Sequence, residues 1–144
     1  ALPIYRSTEN AFVPALREST RKEFGWYSHV VYGFIGRYVS QKNPLFLIDV
    51  FKEIALKQDN AILVMIGFGN LESDMMKRVD EYGLSDKVLN LGRRDDIKQF
   101  YNAFDAFLLP SLYEGMPVVG VSKILSQRII FFSNSSILFL RIIS

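Results

Sequence analysis

A chain of 144 residues, 49% hydrophobic and 22% charged, has the size and composition of one globular domain, able to bury roughly 70% of the surface its unfolded form exposes. The absence of cysteine removes disulfide frameworks, thiolate metal sites and thiol nucleophiles together, and suits a reducing cytoplasm. A formal net charge of +2, with no Lys/Arg run interleaved with aromatics, argues against a nucleic-acid partner.

Residues 1–29 mix Pro3, Pro14 and many charges and read as a leading segment with one helix, around Ala15 to Phe24. The start has neither an initiating Met nor the basic-then-apolar pattern of a secretory signal, so a fragment without a leader is the expectation. From Val30 to Ile35 a β-branched and aromatic run, ended by Gly36, predicts a buried strand. Asn43 as cap and Pro44 at the first helical position then open a helix in which Leu47, Val50, Phe51, Ile54 and Ala55 recur at helical spacing. Ala61 to Ile66 is apolar throughout, as suits a parallel strand covered on both faces, and Gly67-Phe68-Gly69-Asn70 forms a turn. Leu71, Met75, Val79 and Tyr82 space a further helix that Gly83 stops, and Val88 to Leu91 is a third strand. Asp95 or Asp96 caps the next helix, which carries Ile97, Phe100, Tyr101 and Phe104, and Ala106 to Leu109 is a fourth strand ended by Pro110-Ser111. This alternation over 30–121 predicts a Rossmann-like α/β domain, a parallel sheet with flanking helices.

Residues 122–144 break the pattern. Ile129 to Ile143 shows neither helical nor strand periodicity, so the tail reads as irregular. Interrupted by Ser133-Asn134-Ser135-Ser136 and holding Arg141, it falls short of the roughly 20 apolar residues that span a bilayer.

Ligands of parallel sheets bind beyond the C-terminal ends of the strands, so the loops that follow the four strands are the candidate site. The first, Gly36 to Asn43, sets Arg37 and Lys42 five positions apart ahead of a helix N-terminus. A guanidinium that binds oxygens bidentately and an ammonium that acts as a point charge suit a diphosphate. Taken alone, the same loop reads first as two solvated surface cations. The last loop, Pro110 to Pro117, puts Glu114 beside Gly115, where a missing side chain and exposed amides would admit a phosphate. Glu114 there is either an acceptor for sugar hydroxyls or an ordinary turn carboxylate.

Gly36-Arg37-x4-Lys42-Asn43-Pro44, Ile66-Gly67-x-Gly69, Leu91-Gly92 and Leu109-Pro110-Ser111-x-x-Glu114-Gly115-x-Pro117-Val118-Val119 follow one another in this order and spacing. The series closely resembles the donor-binding, C-terminal lobe of the large retaining group-one glycosyltransferases of GT-B architecture, the exopolysaccharide type most of all. The likeness covers about Val30 to Val121. It implies transfer of a glycosyl group from a nucleotide-diphosphate sugar to a saccharide or lipid-linked acceptor, in polysaccharide or glycoconjugate synthesis. Arg37 and Lys42 would hold the donor diphosphate and Glu114 the transferred sugar, and these three are the catalytic residues that the resemblance implies. The backbone of Gly115, Met116, Pro117 and Val118 would lie near the sugar and distal phosphate, the Leu91-Gly92-Arg93 loop would line the nucleobase, and Gly36 and Gly67 complete the binding set. Such enzymes need no bound metal or cofactor, which agrees with adjacent Asp95-Asp96 in place of an Asp-x-Asp pair. The implied location is cytoplasmic, at the periphery of the inner membrane.

The family signature sets a second Glu, for the donor ribose, eight positions after the first; that position here is Ser122. From Lys123 onward the likeness ends. A frameshift after Gly120 and a diverged tail both produce such a break, and the frameshift predicts that another reading frame restores a Glu and an Ala/Gly-rich helix. The acceptor-binding N-terminal lobe has no counterpart in the sequence, so the isolated chain is expected to turn over negligibly for want of a positioned acceptor.

Two other classes stay open: a truncated, inactive remnant, and an unrelated flavodoxin-like binding module. The second favours acidic residues at the strand ends, where the basic Arg37/Lys42 loop stands. Gly67-Phe68-Gly69 lacks the third glycine of a dinucleotide fingerprint, Glu72 standing there. His29, the single histidine, has no Ser or Asp partner at a telling spacing and reads as a structural or surface residue. Met75-Met76 read as core and Lys77-Arg78 as a solvated face.

Overall fold

The computed structural model describes residues 12–110, 129–133 and 136–143, the last two stretches as backbone. In chain order these form α1 (Pro14–Phe24), β1 (Val30–Ile35), α2 (Pro44–Lys57), β2 (Ala61–Ile66), α3 (Glu72–Glu81), β3 (Val88–Gly92), α4 (Ile97–Ala103), β4 (Ala106–Leu109), β5 (Ile129–Ser133) and β6 (Ser136–Ile143). A 3-10 turn over Ser40–Lys42 leads into α2.

Among the described residues the strands make one sheet in the order β3-β2-β1-β4-β5-β6. The first five run parallel and β6 returns antiparallel along β5. The chain moves outward from β1 through β2 to β3, then comes back to lay β4 on the other side of β1. At such a reversal, open α/β sheets form a crevice beyond the carboxyl ends of the two strands, here β1 and β4.

Two apolar layers cover the sheet, and alternate residues of β2 divide between them. Leu63 and Met65 pack with Leu47, Phe51, Met75 and Val79 from α2 and α3, whereas Ile62, Val64 and Ile66 join Trp26, Phe100 and Phe104 on the α4 side. Burial on both faces is why this strand is apolar at every position. Gly33 in β1 leaves room for the Phe104 ring, which an added Cβ would overlap at 2.1 Å.

Within the leading segment expected over 1–29, α1 packs against α4 and ties down the amino ends of the strands. Arg21 donates to the carbonyls of Trp26, His29 and Ala103 and pairs with Asp105 at 3.2 Å. Arg17 pairs with the other Asp105 oxygen at 2.5 Å. Since the same carboxylate accepts the Val31 amide at 2.8 Å, one side chain joins α1, β1 and the turn into β4.

Four expectations need correction. The tail expected to be irregular holds two strands, β5 and β6, in its described part; their β-branched and aromatic residues suit strands even where polar and apolar positions do not alternate. Asn43 does not cap α2 with its side chain: it adopts a left-handed φ of 55° and its amide donates instead to the Pro110 carbonyl at 3.1 Å. Asp96 stands at the start of α4 without a capping bond, its carboxylate taken by Arg94 and Gln99. Arg78 is no solvated cation either, being half-buried and paired with Asp49 at 3.0 Å.

Candidate functional site

The loops that leave β1, β2 and β3 are joined by backbone hydrogen bonds into one platform at the carboxyl edge of the sheet. The Gly36 amide donates to Ile66 at 3.0 Å, the Tyr38 amide to Phe68 at 2.7 Å, the Leu71 amide to Tyr38 at 2.9 Å and the Gly67 amide to Gly92 at 2.9 Å. Glycine at 67 and 69 is what permits this approach. A Cβ would stand 1.8 Å from the Gly36 carbonyl oxygen in the first case and 2.4 Å from the Tyr38 carbonyl oxygen in the second, at φ values of 153° and 157°.

A cleft of about 310 Å3 opens on this platform, lined in part by Gly36, Arg37, Gly67, Phe68, Arg93 and Arg94. Arg37 and Arg93 are exposed and make no ion pair among the described residues. The Arg93 guanidinium lies 5.2 Å from the centroid of the Phe68 ring, and Phe68 as a residue is 45% exposed. Arg94 is committed elsewhere, bonded to Asp96 at 2.8 Å and lying 4.9 Å from the Phe100 centroid. Its guanidinium holds the Asp96 carboxyl down at about 2. The Asp95 carboxylate shares this lining, but Arg37 and Arg93 outnumber it, so the open cleft keeps a net positive rim that attracts an anion, with Phe68 as an apolar wall for a flat group beside it. A second cleft of similar size lies by α1, lined by Pro14, Arg17, Glu18, Arg21 and Tyr27, but its cations are already paired with Asp105.

Of the expected residues, Gly36, Arg37, Gly67 and Arg93 meet in this cleft, and Gly92 joins them through its bond to Gly67. Lys42 is not part of that lining. It ends the 3-10 turn, half-buried, next to the Asn43 side chain that reaches Pro110 at the end of β4. The Arg37 loop is thus bonded to the loop after β2, and the Asn43 side chain, one residue beyond Lys42, to the end of β4. Glu114, Gly115, Met116, Pro117, Val118 and Ser122 lie outside the described residues.

Sequence reasoning passed over Tyr38 and Phe68. Tyr38 is fully buried, and its hydroxyl donates to Asn90 Oδ1 at 2.9 Å. Burial, with the Glu72 carboxylate nearby, pushes its pKa well above the usual phenol value. The available signal was an aromatic residue in a loop of mostly polar residues, since a buried phenol needs a partner for its hydroxyl.

The family model described as glycosyl transferases group 1 matches residues 17–122, ending where the sequence itself departs from the pattern. The UDP-Gal:alpha-D-GlcNAc-diphosphoundecaprenol alpha-1,3-galactosyltransferase of Escherichia coli is 34% identical over 113 residues, 74% of this chain and 29% of that one. The chain spans 29%, 20% and 24% of the length of three curated relatives that it matches. Among solved structures, Anabaena HepE in complex with UDP and glucose gives a TM-score of 0.76 at 18% identity, over 88% of this chain and 36% of that one. The C-terminal domain of the group 1 family protein LpcC from Francisella tularensis gives 0.68 at 17% identity, over 81% of this chain and 64% of that one. These structural likenesses are of fold, the Rossmann-like α/β fold that GT-B glycosyltransferases contain.

Proposed function

The chain belongs to the group 1 glycosyl transferases, and from that premise we propose that it supplies the donor-binding lobe of a retaining enzyme of polysaccharide synthesis. The donor is a nucleotide-diphosphate sugar, and the acceptor, a saccharide or a lipid-linked one, binds a second lobe outside these residues. The observation that carries the reading is the cleft at the carboxyl edge, where Arg37 and Arg93 stand exposed on loops fixed to each other through their backbones. The Asn43 bond to Pro110 supports it from the other side. Glu114 follows Pro110 by four residues, so an extended chain carries it no farther than about 14 Å from that anchor.

In the transfer, the bond between the anomeric carbon and the diphosphate oxygen breaks and the acceptor oxygen bonds the same carbon from the same face. The acceptor proton passes to the departing phosphate. Charge then gathers on the distal phosphate, so preplaced cations such as Arg37 and Lys42 stabilise the transition state more than the ground state. These side chains do the work that a metal ion does at other diphosphate sites. No helix among the described residues is long and apolar enough to cross a membrane; a lipid-linked acceptor would itself bring the enzyme to the cytoplasmic face of one.

HepE was solved with UDP bound, which makes UDP the first ligand to test. In thermal-shift titrations with EDTA present, UDP is expected to raise the melting midpoint of the full chain. Arg37→Ala should weaken UDP by roughly tenfold or more, the cost of one charge-assisted hydrogen bond. If no nucleoside diphosphate moves the midpoint at about millimolar concentration, where even weak binders register, the chain is a folded remnant instead.

A further inference from the structure

β1 and β3 are not neighbours in the sheet, since β2 lies between them, yet a side chain from the loop after β1 reaches β3. The Tyr38 hydroxyl donates to Asn90 Oδ1 at 2.9 Å, and the same oxygen accepts the Gly92 amide at 3.2 Å. Gly92 in turn takes the Gly67 amide on its carbonyl. To make this crossing the ring passes beside the loop after β2, where a Cβ at Gly67 would stand 3.1 Å from Tyr38 Cε1. The Tyr38 backbone grips that loop as well, through Phe68 and Leu71. Arg37 is the residue before Tyr38, and Arg93 the residue after Gly92. Each exposed guanidinium of the cleft therefore springs from a backbone held at one end of the Tyr38–Asn90 link.

We propose that Tyr38 is a positioning residue, which through Asn90 sets the separation of Arg37 and Arg93 so that one nucleoside diphosphate engages both loops. This rests on the donor-site reading above and adds to it a residue that touches no ligand. The two glycines of the loop after β2 then serve the Tyr38 crossing as much as they serve ligand approach. A buried phenol needs an acceptor in any case; the one that Tyr38 takes, Asn90 Oδ1, also accepts the Gly92 amide, so the bond ties the loop after β1 to the backbone that carries Arg93.

The test is a double-mutant cycle on the full chain, with UDP dissociation constants from calorimetry and ligand-free melting midpoints from the same preparations. Tyr38→Phe removes one hydrogen bond and is expected to weaken UDP by about tenfold while the midpoint moves by a few degrees at most. Arg93→Ala should weaken UDP by a similar factor. The double variant should bind no more weakly than Arg93→Ala alone, because the link acts through Arg93. Asn90→Ala, which breaks the same link from the β3 side, should repeat the loss and its dependence on Arg93. Additive losses, or unchanged UDP affinity in Tyr38→Phe, overturn the proposal and leave the donor site standing. Failure of the unaltered chain to bind UDP overturns both.

Discussion

A methyl group added at Gly67 would sit 1.8 Å from the Gly36 carbonyl oxygen, where no side-chain rotation can relieve it because the obstacle is backbone. The loops after β1 and β2 would have to part, breaking the Gly36–Ile66 and Gly67–Gly92 bonds that make the platform. Gly67→Ala is therefore expected to cost about 2 to 4 kcal/mol in urea denaturation and to remove UDP binding from the molecules that still fold. Spacing singled out this glycine in the sequence; its neighbours in space were not legible there. Tyr38 was less legible still, because its hydroxyl partner lies 52 residues away and no local period connects a loop phenol to an asparagine two strands over. Asn43 misled in the opposite sense. Its residue type suits a helix cap, but a tertiary bond to Pro110 claims the side chain, and local preference yields to it.

At the scale of elements, β1, β2 and β4 were readable because continuous apolar runs bounded by glycine or proline have few other uses. β5 has an apolar run as well, but the stretch from Ile129 to Ile143 shows neither helical nor strand periodicity as a whole, so its strands were not legible. Helix α1 was readable as a helix and not as a clamp: the partner of Arg17 and Arg21 is Asp105, more than 80 residues on. Arg21 is 9% exposed at its side chain, against 32% for Arg17, and that contrast orders the consequences. Asp105→Ala leaves the nearly buried Arg21 guanidinium with carbonyl partners alone and the Val31 amide without its acceptor, and should cost about 2 to 4 kcal/mol. Arg17→Ala removes a half-buried guanidinium that pairs with Asp105 and donates to the Asn102, Ala103 and Phe104 carbonyls, and should cost less, about 1 to 2 kcal/mol. Both are read from urea midpoints. The clamp stands at the amino ends of the strands, so UDP affinity of the folded fraction should change by less than about twofold in either variant, as independent distant sites behave.

For the whole molecule, alternation of strand and helix announces a parallel sheet, but the order in which strands lie side by side is decided by packing of distant segments. That order, β3-β2-β1-β4, is what sets the loops of Arg37 and Arg93 on one platform and turns β1 towards β4. The two apolar layers that enforce it each engage a phenol, Tyr38 in one and Tyr101 packed against the other, 5.4 Å from the Phe107 ring centroid. Burial pushes Tyr101 from 10.0 up to about 12, and Tyr38 is raised as well. In the folded chain these hydroxyls keep their protons where the unfolded chain has begun to lose them. Their contribution to stability is thus complete below pH 10, the unfolded value, and is lost as the pH rises from there through the folded value near 12. Urea midpoints measured from about pH 8 upward should hold level and then fall, with tyrosinate absorbance appearing as the protein unfolds. Tyr101→Phe has no ionisable group to bury, so its alkaline decline should be shallower by the Tyr101 share while stability at neutral pH changes little. An identical decline in the variant would mean that the sheet, and not the phenol beneath it, gives way first.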